Sequence, residues 1–258
     1  MSLLHIESVC KNFGGLQALT DVSTDVKKGS ISALIGPNGS GKTTLFNVIT
    51  KMISHDSGRI FFAGERIDHL PAYIIPSKGI VRTFQIVSLF REASVWENVA
   101  SGAFSKTKAE IFSILFRSPQ MRSEEKFVKE RTMDTLQFLG IGHLAERPAG
   151  MLPIGQQRLV ELGRSLVSEP KLLLLDEPLS GLNPRESEQM QEKIIEIRNR
   201  GITILFVEHE MKSVMRLAEK ITVLNFGRKI ADGIPEEIRN NPEVIEVYLG
   251  KETEIVTS

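Results

Sequence analysis

The stretch that decides the fold is Gly36-Pro37-Asn38-Gly39-Ser40-Gly41-Lys42-Thr43. A mostly apolar run, Ile31 to Ile35, precedes it, and apolar residues at helical spacing follow it from Leu45 onward. A short apolar run predicts a buried strand, and a spacing of three to four residues predicts an amphipathic helix. The sequence therefore predicts a strand, a glycine-rich loop and a helix in that order.

This order of elements has a specific chemical use. Glycines let the backbone curl so that successive N–H groups converge on a phosphate, and the start of the helix adds the positive end of its dipole. Lys42 is then placed to bridge the β- and γ-phosphates, and the Thr43 hydroxyl is placed to bind Mg²⁺. The alternative, an ordinary glycine-rich turn before a helix, is disfavoured because both flanking elements are present.

The composition is that of an ordinary globular protein. The 258 residues are 41% hydrophobic, which is enough to fill a sizeable core, and 32 basic residues balance 32 acidic ones. A net charge of zero indicates neither a nucleic-acid partner nor binding to an anionic membrane surface. We therefore expect no nucleic acid to bind.

Cysteine use and hydropathy bear on the compartment. The single cysteine, Cys10, cannot form an internal disulfide, which fits a reducing setting. The N-terminal residues show no apolar signal core, and no run approaches the roughly 18 apolar residues of a spanning helix. We expect a cytoplasmic protein that docks on a membrane partner.

Alternating apolar residues predict strands on both sides of the glycine-rich loop. Residues 3–9 and 22–26 predict two strands of a small antiparallel sheet. Phe13 is expected in the loop between them, where its ring would either stack on a nucleotide base or pack against the fold. A later strand, predicted from Ile80 to Phe84, places Gln85 at the carboxyl edge of an α/β sheet, where ligands bind.

Between about residue 86 and residue 160 the strand-like runs give way to helical spacing. We predict a helical subdomain over residues 86–160, inserted into an α/β core formed by residues 1–85 and 161–258. Within it, the apolar cluster over residues 111–116 fits either the subdomain's own core or a contact with lipid or a membrane partner. The core is favoured, because such stripes usually pack internally.

The α/β pattern returns in the last third of the chain. Leu172 to Leu175 is a short apolar run typical of a central parallel strand, and it ends in Asp176 and Glu177. A second buried strand is predicted from Ile202 to Val207, shortly before His209. A mostly parallel sheet would bring these strand ends together at one edge.

Two acidic residues at the end of a buried strand have distinct uses beside a phosphate loop. Asp176 can hold Mg²⁺ through its water shell, and Glu177, pointing elsewhere, can polarise the attacking water. The alternative is a strand-end acid pair without a chemical role. The phosphate loop makes that alternative the less favoured one.

A set of motifs in a fixed order then resembles a known family. The motifs are Gly36 to Thr43, Gln85, Leu152-Pro153-Ile154-Gly155-Gln156-Gln157-Arg158, Leu172 to Pro178, Ser180-Gly181-Leu182-Asn183 and His209. In this order they resemble the ATP-binding subunits of ABC transporters over essentially the whole chain. The resemblance is strongest to the ATPase subunits of branched-chain amino-acid importers, through Gly79 to Gln85, Gly181 to Pro184, Glu208 to Lys212 and Arg239 to Ile245.

The resemblance implies an α/β fold of the P-loop NTPase (ABC ATPase) type. Its core would hold a mostly parallel central sheet, with an antiparallel β subdomain and an inserted helical subdomain. The implied activity is Mg²⁺-dependent ATP hydrolysis, with ATP and Mg²⁺ as cofactors.

Roles for individual residues also follow from the resemblance. Phe13 would stack on adenine, Gln85 would contact Mg²⁺ or the attacking water, and His209 would contact the γ-phosphate. The residues implied to bind ATP are Phe13, Gly36, Pro37, Asn38, Gly39, Ser40, Gly41, Lys42, Thr43, Thr44, Gly155 and Gln156. Those implied in catalysis are Lys42, Gln85, Glu177 and His209, and those implied to hold Mg²⁺ are Thr43, Gln85 and Asp176.

Members of the family work as head-to-tail pairs, so a second ATPase subunit, identical or related, is implied. The helix start at Gly155 and Gln156 would approach the γ-phosphate of ATP on the opposite subunit. The usual serine and glycine there are Pro153 and Ile154, and a proline offers neither a hydroxyl nor an N–H donor. We therefore expect this contact to rest on Gly155 N–H and Gln156. Asn183 likewise replaces the usual final aspartate of the inter-subunit loop.

The leading hypothesis is an ATPase subunit, peripheral on the cytoplasmic face of the cell membrane, that powers uptake of branched-chain, hydrophobic amino acids. Its partners would be two transmembrane permease subunits and, indirectly, an extracytoplasmic substrate-binding protein. The alternatives are an ATPase of a lipid or lipopolysaccharide exporter, a soluble ATP-switched clamp of DNA repair or translation, and a regulatory module that does not hydrolyse ATP. The clamp is disfavoured because no coiled-coil insertion, second cassette or basic surface is visible. Asp176, Glu177 and His209 disfavour the regulatory module.

Overall fold

The computed structural model describes residues 1–83, 87–106 and 119–254, with side chains described for residues 1–83, 87–103 and 126–248. Gln85 and the apolar cluster at 111–116 therefore lie outside the described residues.

Strands dominate the first part of the described chain and alternate with helices in the last part. The strands are β1 (Ser2–Phe13), β2 (Leu16–Lys27), β3 (Ile31–Ile35), β4 (Ser57–Phe62), β5 (Glu65–Arg66), β6 (Ile80–Arg82), β7 (Leu172–Asp176), β8 (Thr203–Val207), β9 (Lys220–Asn225) and β10 (Arg228–Gly233). The helices are α1 (Lys42–Ile49), α2 (Ile75–Lys78), α3 (Val95–Ala100), α4 (Pro119–Phe138), α5 (Ile154–Leu166), α6 (Pro184–Asn199), α7 (Met211–Leu217), α8 (Pro235–Arg239) and α9 (Pro242–Glu254). Among these described helices, none combines the length and the apolarity needed to cross a membrane.

The central sheet is mostly parallel, as predicted. Across its described part the strands lie in the order β10-β9-β3-β8-β7-β6, and β9 with β10 is the one antiparallel pair. Every residue of β3, β7 and β8 is buried, as expected for strands that are covered on both faces. Because these three strands run in the same direction, the loops after them meet at one edge of the sheet.

A separate antiparallel sheet contains β1, β2, β4 and β5, in the order β2-β1-β4-β5. Its first two strands run further than the predicted 3–9 and 22–26, so that Phe13 pairs with Leu16 across a turn of only two glycines. The prediction of a loop at Phe13 is therefore wrong: the ring belongs to the last residue of β1. Gly14, at φ 57°, allows the chain to turn that tightly.

Two hydrophobic cores lie on opposite faces of the central sheet. Ile31, Ala33 and Ile35 of β3 belong to one cluster of buried residues and Leu34 to the other, as the two-residue period of a strand dictates. The Leu34 cluster joins the central sheet to α1 and the antiparallel sheet. Helix α1 therefore lies between the two sheets, which fixes the position of the glycine-rich loop before it.

The helical region contains α3, α4 and the start of α5 within its described part. Helix α5 continues beyond residue 160 to Leu166, so the boundary predicted there falls inside a helix. Buried residues of α3, α4 and α5 share one core with β3 and β7. The division into residues 1–85 with 161–258 and residues 86–160 stays a prediction.

A complete capping box starts α6. Asn183 Oδ1 accepts the Glu186 N–H at 3.0 Å, and Glu186 Oε2 accepts the Asn183 N–H at 3.1 Å. Pro184 occupies the first helical position, where its missing N–H costs nothing. An asparagine caps a helix about as well as an aspartate does, so the residue that departs from the usual pattern keeps a structural role.

Asn183→Ala is expected to lower the free energy of unfolding by about 1 kcal/mol, because the Glu186 N–H loses its acceptor. Urea denaturation followed by far-UV circular dichroism measures the loss. Asn183→Asp is the matched control, since it keeps the acceptor, and should stay within about 0.5 kcal/mol of the parent. An equal loss in both variants would contradict the capping role.

Candidate active site

The glycine-rich loop between β3 and α1 is pressed against two other elements. A Cβ atom added to Gly36 would lie 2.1 Å from the Leu224 carbonyl oxygen of β9, and one added to Gly41 would lie 2.7 Å from the Ala18 carbonyl oxygen of β2. Both glycines also have positive φ angles, 149° and 105°. Only glycine meets both conditions, so the loop is fixed between β9 and β2.

Lys42 closes the loop from the inside. Its Nζ donates to the carbonyl oxygens of Gly36 at 2.8 Å and Pro37 at 2.9 Å, and the residue is buried. The buried Ser40 Oγ has no hydrogen-bond partner within the part of the chain that the structure describes. A cation and an unsatisfied hydroxyl in a curled loop at a helix start fit a bound phosphate.

A cavity of about 990 Å³ opens over this loop. Its lining includes Asn38, Gly39, Ser40 and Gly41 of the loop, Lys42, Thr43 and Thr44 at the start of α1, and Phe13, Glu177, His209 and Phe226. Phe13 is 48% exposed and stands at the rim. The structure therefore brings into one cavity the predicted base-stacking ring, the predicted phosphate loop and three of the four predicted catalytic residues, namely Lys42, Glu177 and His209.

The two adjacent acids at the end of β7 point to different partners. Asp176 Oδ2 accepts a hydrogen bond from Arg82 Nη2 at 2.6 Å, and both side chains are 6% exposed. Glu177 Oε1 lies 2.7 Å from His209 Nε2. The backbone of Glu177 is left-handed, with φ at 49°, which is a strained conformation for a glutamate. Asp176 is thus paired with a guanidinium, and Glu177 borders the cavity beside an imidazole.

Glu208 is a buried acid that sequence reasoning left without a role. Its carboxylate accepts the Leu179 N–H at 2.8 Å and the His209 N–H at 3.1 Å. Burial raises the pKa of Glu208, and the two backbone N–H donors oppose that rise. The residue therefore ties the loop after β7 to the loop after β8, and so helps to set His209 beside Glu177.

The segment with the unusual Pro153 lies at the start of α5. Pro153 precedes the helix without a side-chain hydrogen bond, and Ile154 is 43% exposed. Gly155 is buried, and a Cβ there would lie 2.6 Å from Glu186 Oε1. Neither Gly155 nor Gln156 lines the cavity over the phosphate loop of its own chain. Their predicted contact with ATP stays a prediction, as does that of Gln85, which lies outside the described residues.

Comparisons with known proteins agree with this geometry. Residues 19–180 match the family model described as ABC transporter, and residues 228–254 match the one described as branched-chain amino acid ATP-binding cassette transporter. The chain belongs to the ABC transporter family. Among curated relatives, the high-affinity branched-chain amino acid transport ATP-binding protein LivG of Salmonella typhimurium is 42% identical, over 96% of this chain and 98% of that protein. BraF of Pseudomonas aeruginosa, with the same description, is 39% identical over 96% of this chain and 98% of that protein.

Solved structures of ABC cassettes share the fold. The ADP conformation of MJ1267, an ATP-binding cassette of an ABC transporter, superposes with a TM-score of 0.85 at 36% identity, covering 97% of this chain and 99% of that one. A nucleotide-free ATP-binding cassette from an ABC transporter gives a TM-score of 0.84 at 37% identity, covering 96% and 99%. The predicted P-loop NTPase fold of the ABC ATPase type is confirmed.

Three features of this ABC cassette escaped sequence reasoning. Phe226, 83% exposed, borders the cavity from the turn between β9 and β10, and its signal was an aromatic residue before a turn glycine. Arg82 reaches Asp176 from a neighbouring strand, and Glu208 binds backbone N–H groups of two loops. The Arg82–Asp176 and Glu208–Leu179 contacts join residues far apart in sequence, so no local pattern predicts them.

Phe13→Ala is expected to raise the dissociation constant for ATP about tenfold, because stacking of a base on an aromatic ring contributes about 1–3 kcal/mol. Isothermal titration calorimetry measures it. Phe226→Ala removes a second exposed ring from the same cavity and is the matched control, expected to change the constant by less than about twofold. Equal losses in both variants would contradict the assignment of adenine to Phe13.

Proposed function

We propose that this chain is the ATP-hydrolysing subunit of an importer that takes up branched-chain, hydrophobic amino acids. The observation that carries the proposal is the meeting of Phe13, the phosphate loop and the Glu177–His209 pair in one cavity. The match of residues 228–254 to the branched-chain amino acid cassette model supports this solute class over a lipid or lipopolysaccharide exporter.

Three residues of the cavity have parts in the proposed reaction. Lys42 neutralises charge on the β- and γ-phosphates. Glu177 accepts the proton of the attacking water, and His209 holds the Glu177 carboxylate in place through its contact at 2.7 Å. The strained backbone of Glu177 fits such a part, since strain of this kind gathers at functional sites.

Magnesium is the second proposed cofactor. The Thr43 hydroxyl in the phosphate loop and the Asp176 carboxylate at the end of β7 offer the oxygen donors that Mg²⁺ prefers. Gln85 is proposed as a further donor. When bound, the ion would neutralise phosphate charge and orient the triphosphate for in-line attack.

A complete site is proposed to need a second ATPase subunit. The start of α5 at Gly155 and Gln156 lies outside the cavity of its own chain, and its N–H groups are proposed to bind the γ-phosphate of a head-to-tail partner. Closing the pair around ATP would move the helical regions against two membrane permease subunits on the cytoplasmic face, and hydrolysis would reopen it. An extracytoplasmic binding protein would deliver the solute.

Glu177→Gln is expected to lower kcat for ATP hydrolysis at least about 100-fold, because an amide cannot accept the proton. Phosphate release at saturating Mg²⁺ and ATP measures the rate. Glu188→Gln, an exposed acid on the neighbouring helix α6, is the control and should keep the parent rate. Near-parent turnover in Glu177→Gln would remove Glu177 from the general-base role.

The same variant also tests the head-to-tail pair, because it does not consume ATP. Its mass in gel filtration is compared with and without ATP.

Lys42→Ala is expected to raise the dissociation constant for ATP by about 100-fold or more, because the loop loses both its cation and the two hydrogen bonds that close it. Calorimetry without Mg²⁺ isolates this effect from the metal. Lys28→Ala, an exposed lysine in the turn after β2, should bind ATP as the parent does. Unchanged ATP binding in Lys42→Ala would count against the phosphate-loop site as a whole.

A further inference from the structure

Arg82, the last residue of β6, has a buried cationic side chain that contacts Asp176, Asn47 and Phe46. Its side chain is 6% exposed and donates from Nη2 to Asp176 Oδ2 at 2.6 Å and from Nη1 to Asn47 Oδ1 at 2.6 Å. Its guanidinium carbon lies 5.4 Å from the centre of the Phe46 ring. Asn47 and Phe46 both belong to α1, the helix that follows the phosphate loop. One side chain thus joins β6, the end of β7 and the phosphate-loop helix.

The backbone of the same region supports that connection. Thr83, the residue after Arg82, donates its N–H to the Leu174 carbonyl at 2.9 Å, which continues the pairing of β6 with β7. Its hydroxyl accepts the Asp176 N–H at 3.4 Å. The end of β7 is therefore held by the side chains of two consecutive residues and by a backbone hydrogen bond.

The energetics of burial explain why this arrangement matters. A carboxylate buried as deeply as Asp176 is costly unless it is paired and hydrogen-bonded. The guanidinium is planar and carries several donors in a fixed fork, so it can bind Asp176 and Asn47 at once and hold each at a set angle. A lysine would supply a single mobile charge in its place. The Asp176 carboxylate is consequently fixed relative to α1.

We propose that Arg82 is a positioning residue for the magnesium–nucleotide site, which holds the Asp176 carboxylate at a fixed distance from the phosphate loop through Asn47. This rests on the proposed binding of Mg²⁺ and ATP at that site. Arg82 does not line the cavity over the phosphate loop, so it would act through Asp176. Partners of this kind, which orient a metal ligand, typically change metal affinity by about 10- to 100-fold when they are removed.

The chain offers a control in a second arginine–aspartate pair, whose aspartate is buried. Arg66 Nη2 lies 2.8 Å from Asp68 Oδ2, and the Asp68 side chain is 5% exposed. Both residues lie at or just after β5 of the antiparallel sheet, away from the cavity over the phosphate loop. The Arg66 side chain is 51% exposed, whereas that of Arg82 is 6% exposed. Arg66→Met therefore removes the guanidinium partner of a buried aspartate without touching the site.

The experiment uses the full chain with Glu177→Gln as the background, so that ATP is not consumed. Calorimetry measures ATP affinity first in EDTA and then with MgCl₂, and the ratio of the two gives the gain due to Mg²⁺. In EDTA, Arg82→Met is expected to bind ATP within about twofold of the background. Its gain in ATP affinity on adding Mg²⁺ is expected to be about tenfold smaller than that of the background. Arg82→Lys is expected to fall between Arg82→Met and the background, and Arg66→Met to keep the full gain.

Asn47→Ala supplies a variant in which the buried Asp176 keeps its ion pair, so folding is preserved even if Arg82→Met unfolds. Its gain in ATP affinity on adding Mg²⁺ is expected to be at least about threefold smaller than that of the background, because Arg82 loses its hydrogen bond to α1. A full Mg²⁺-dependent gain in Asn47→Ala and in whichever Arg82 variants fold would overturn the proposal. If the Glu177→Gln background itself binds ATP neither in EDTA nor with MgCl₂, the proposed function fails instead, and the two failures are thereby distinguished.

Discussion

The site depends on a close approach of backbones that leaves no room for side chains. Gly36 and Gly41 press the phosphate loop against β9 and β2, and the Gly227 N–H in the turn between β9 and β10 donates to the Ser40 carbonyl at 3.0 Å. Gly227 in turn accepts the Thr20 N–H at 2.8 Å. The central sheet, the antiparallel sheet and the closing hairpin are joined at this point. The positions of Phe13 and Phe226 around the cavity follow from that junction.

Local sequence patterns predict much of this structure, and they fail where the outcome depends on register. The glycine-rich loop, the apolar strands before it and at 172–175, and the acids at 176 and 177 all follow from short motifs. The predicted loop at Phe13 is wrong because β1 continues beyond its alternating apolar residues. Pairing with β2, rather than hydrophobicity, holds the last residues of β1. The capping role of Asn183 was missed although Glu186 stands three residues later, which is the spacing of a capping box.

The partners of buried charged residues are the feature of the site that is hardest to predict from the sequence. Three acids at the edge of the sheet each find a different kind of partner: Asp176 a guanidinium, Glu177 an imidazole, and Glu208 two backbone N–H groups. In a linear sequence they are three similar carboxylates near strand ends. Their separate environments arise only when β6, β7 and β8 are placed side by side, because Arg82, His209 and the Leu179 N–H each reach an acid from a neighbouring strand or loop.

The left-handed backbone of Glu177 places stability and activity in conflict at this position. A glycine adopts φ near 49° without strain, and an asparagine adopts it more readily than a glutamate does. Either replacement would relax the chain and at the same time delete the carboxylate that the proposed chemistry needs. Selection for heat resistance alone would therefore favour glycine or asparagine at position 177, and the resulting cassettes would be inactive. Selection for transport would keep the strained glutamate.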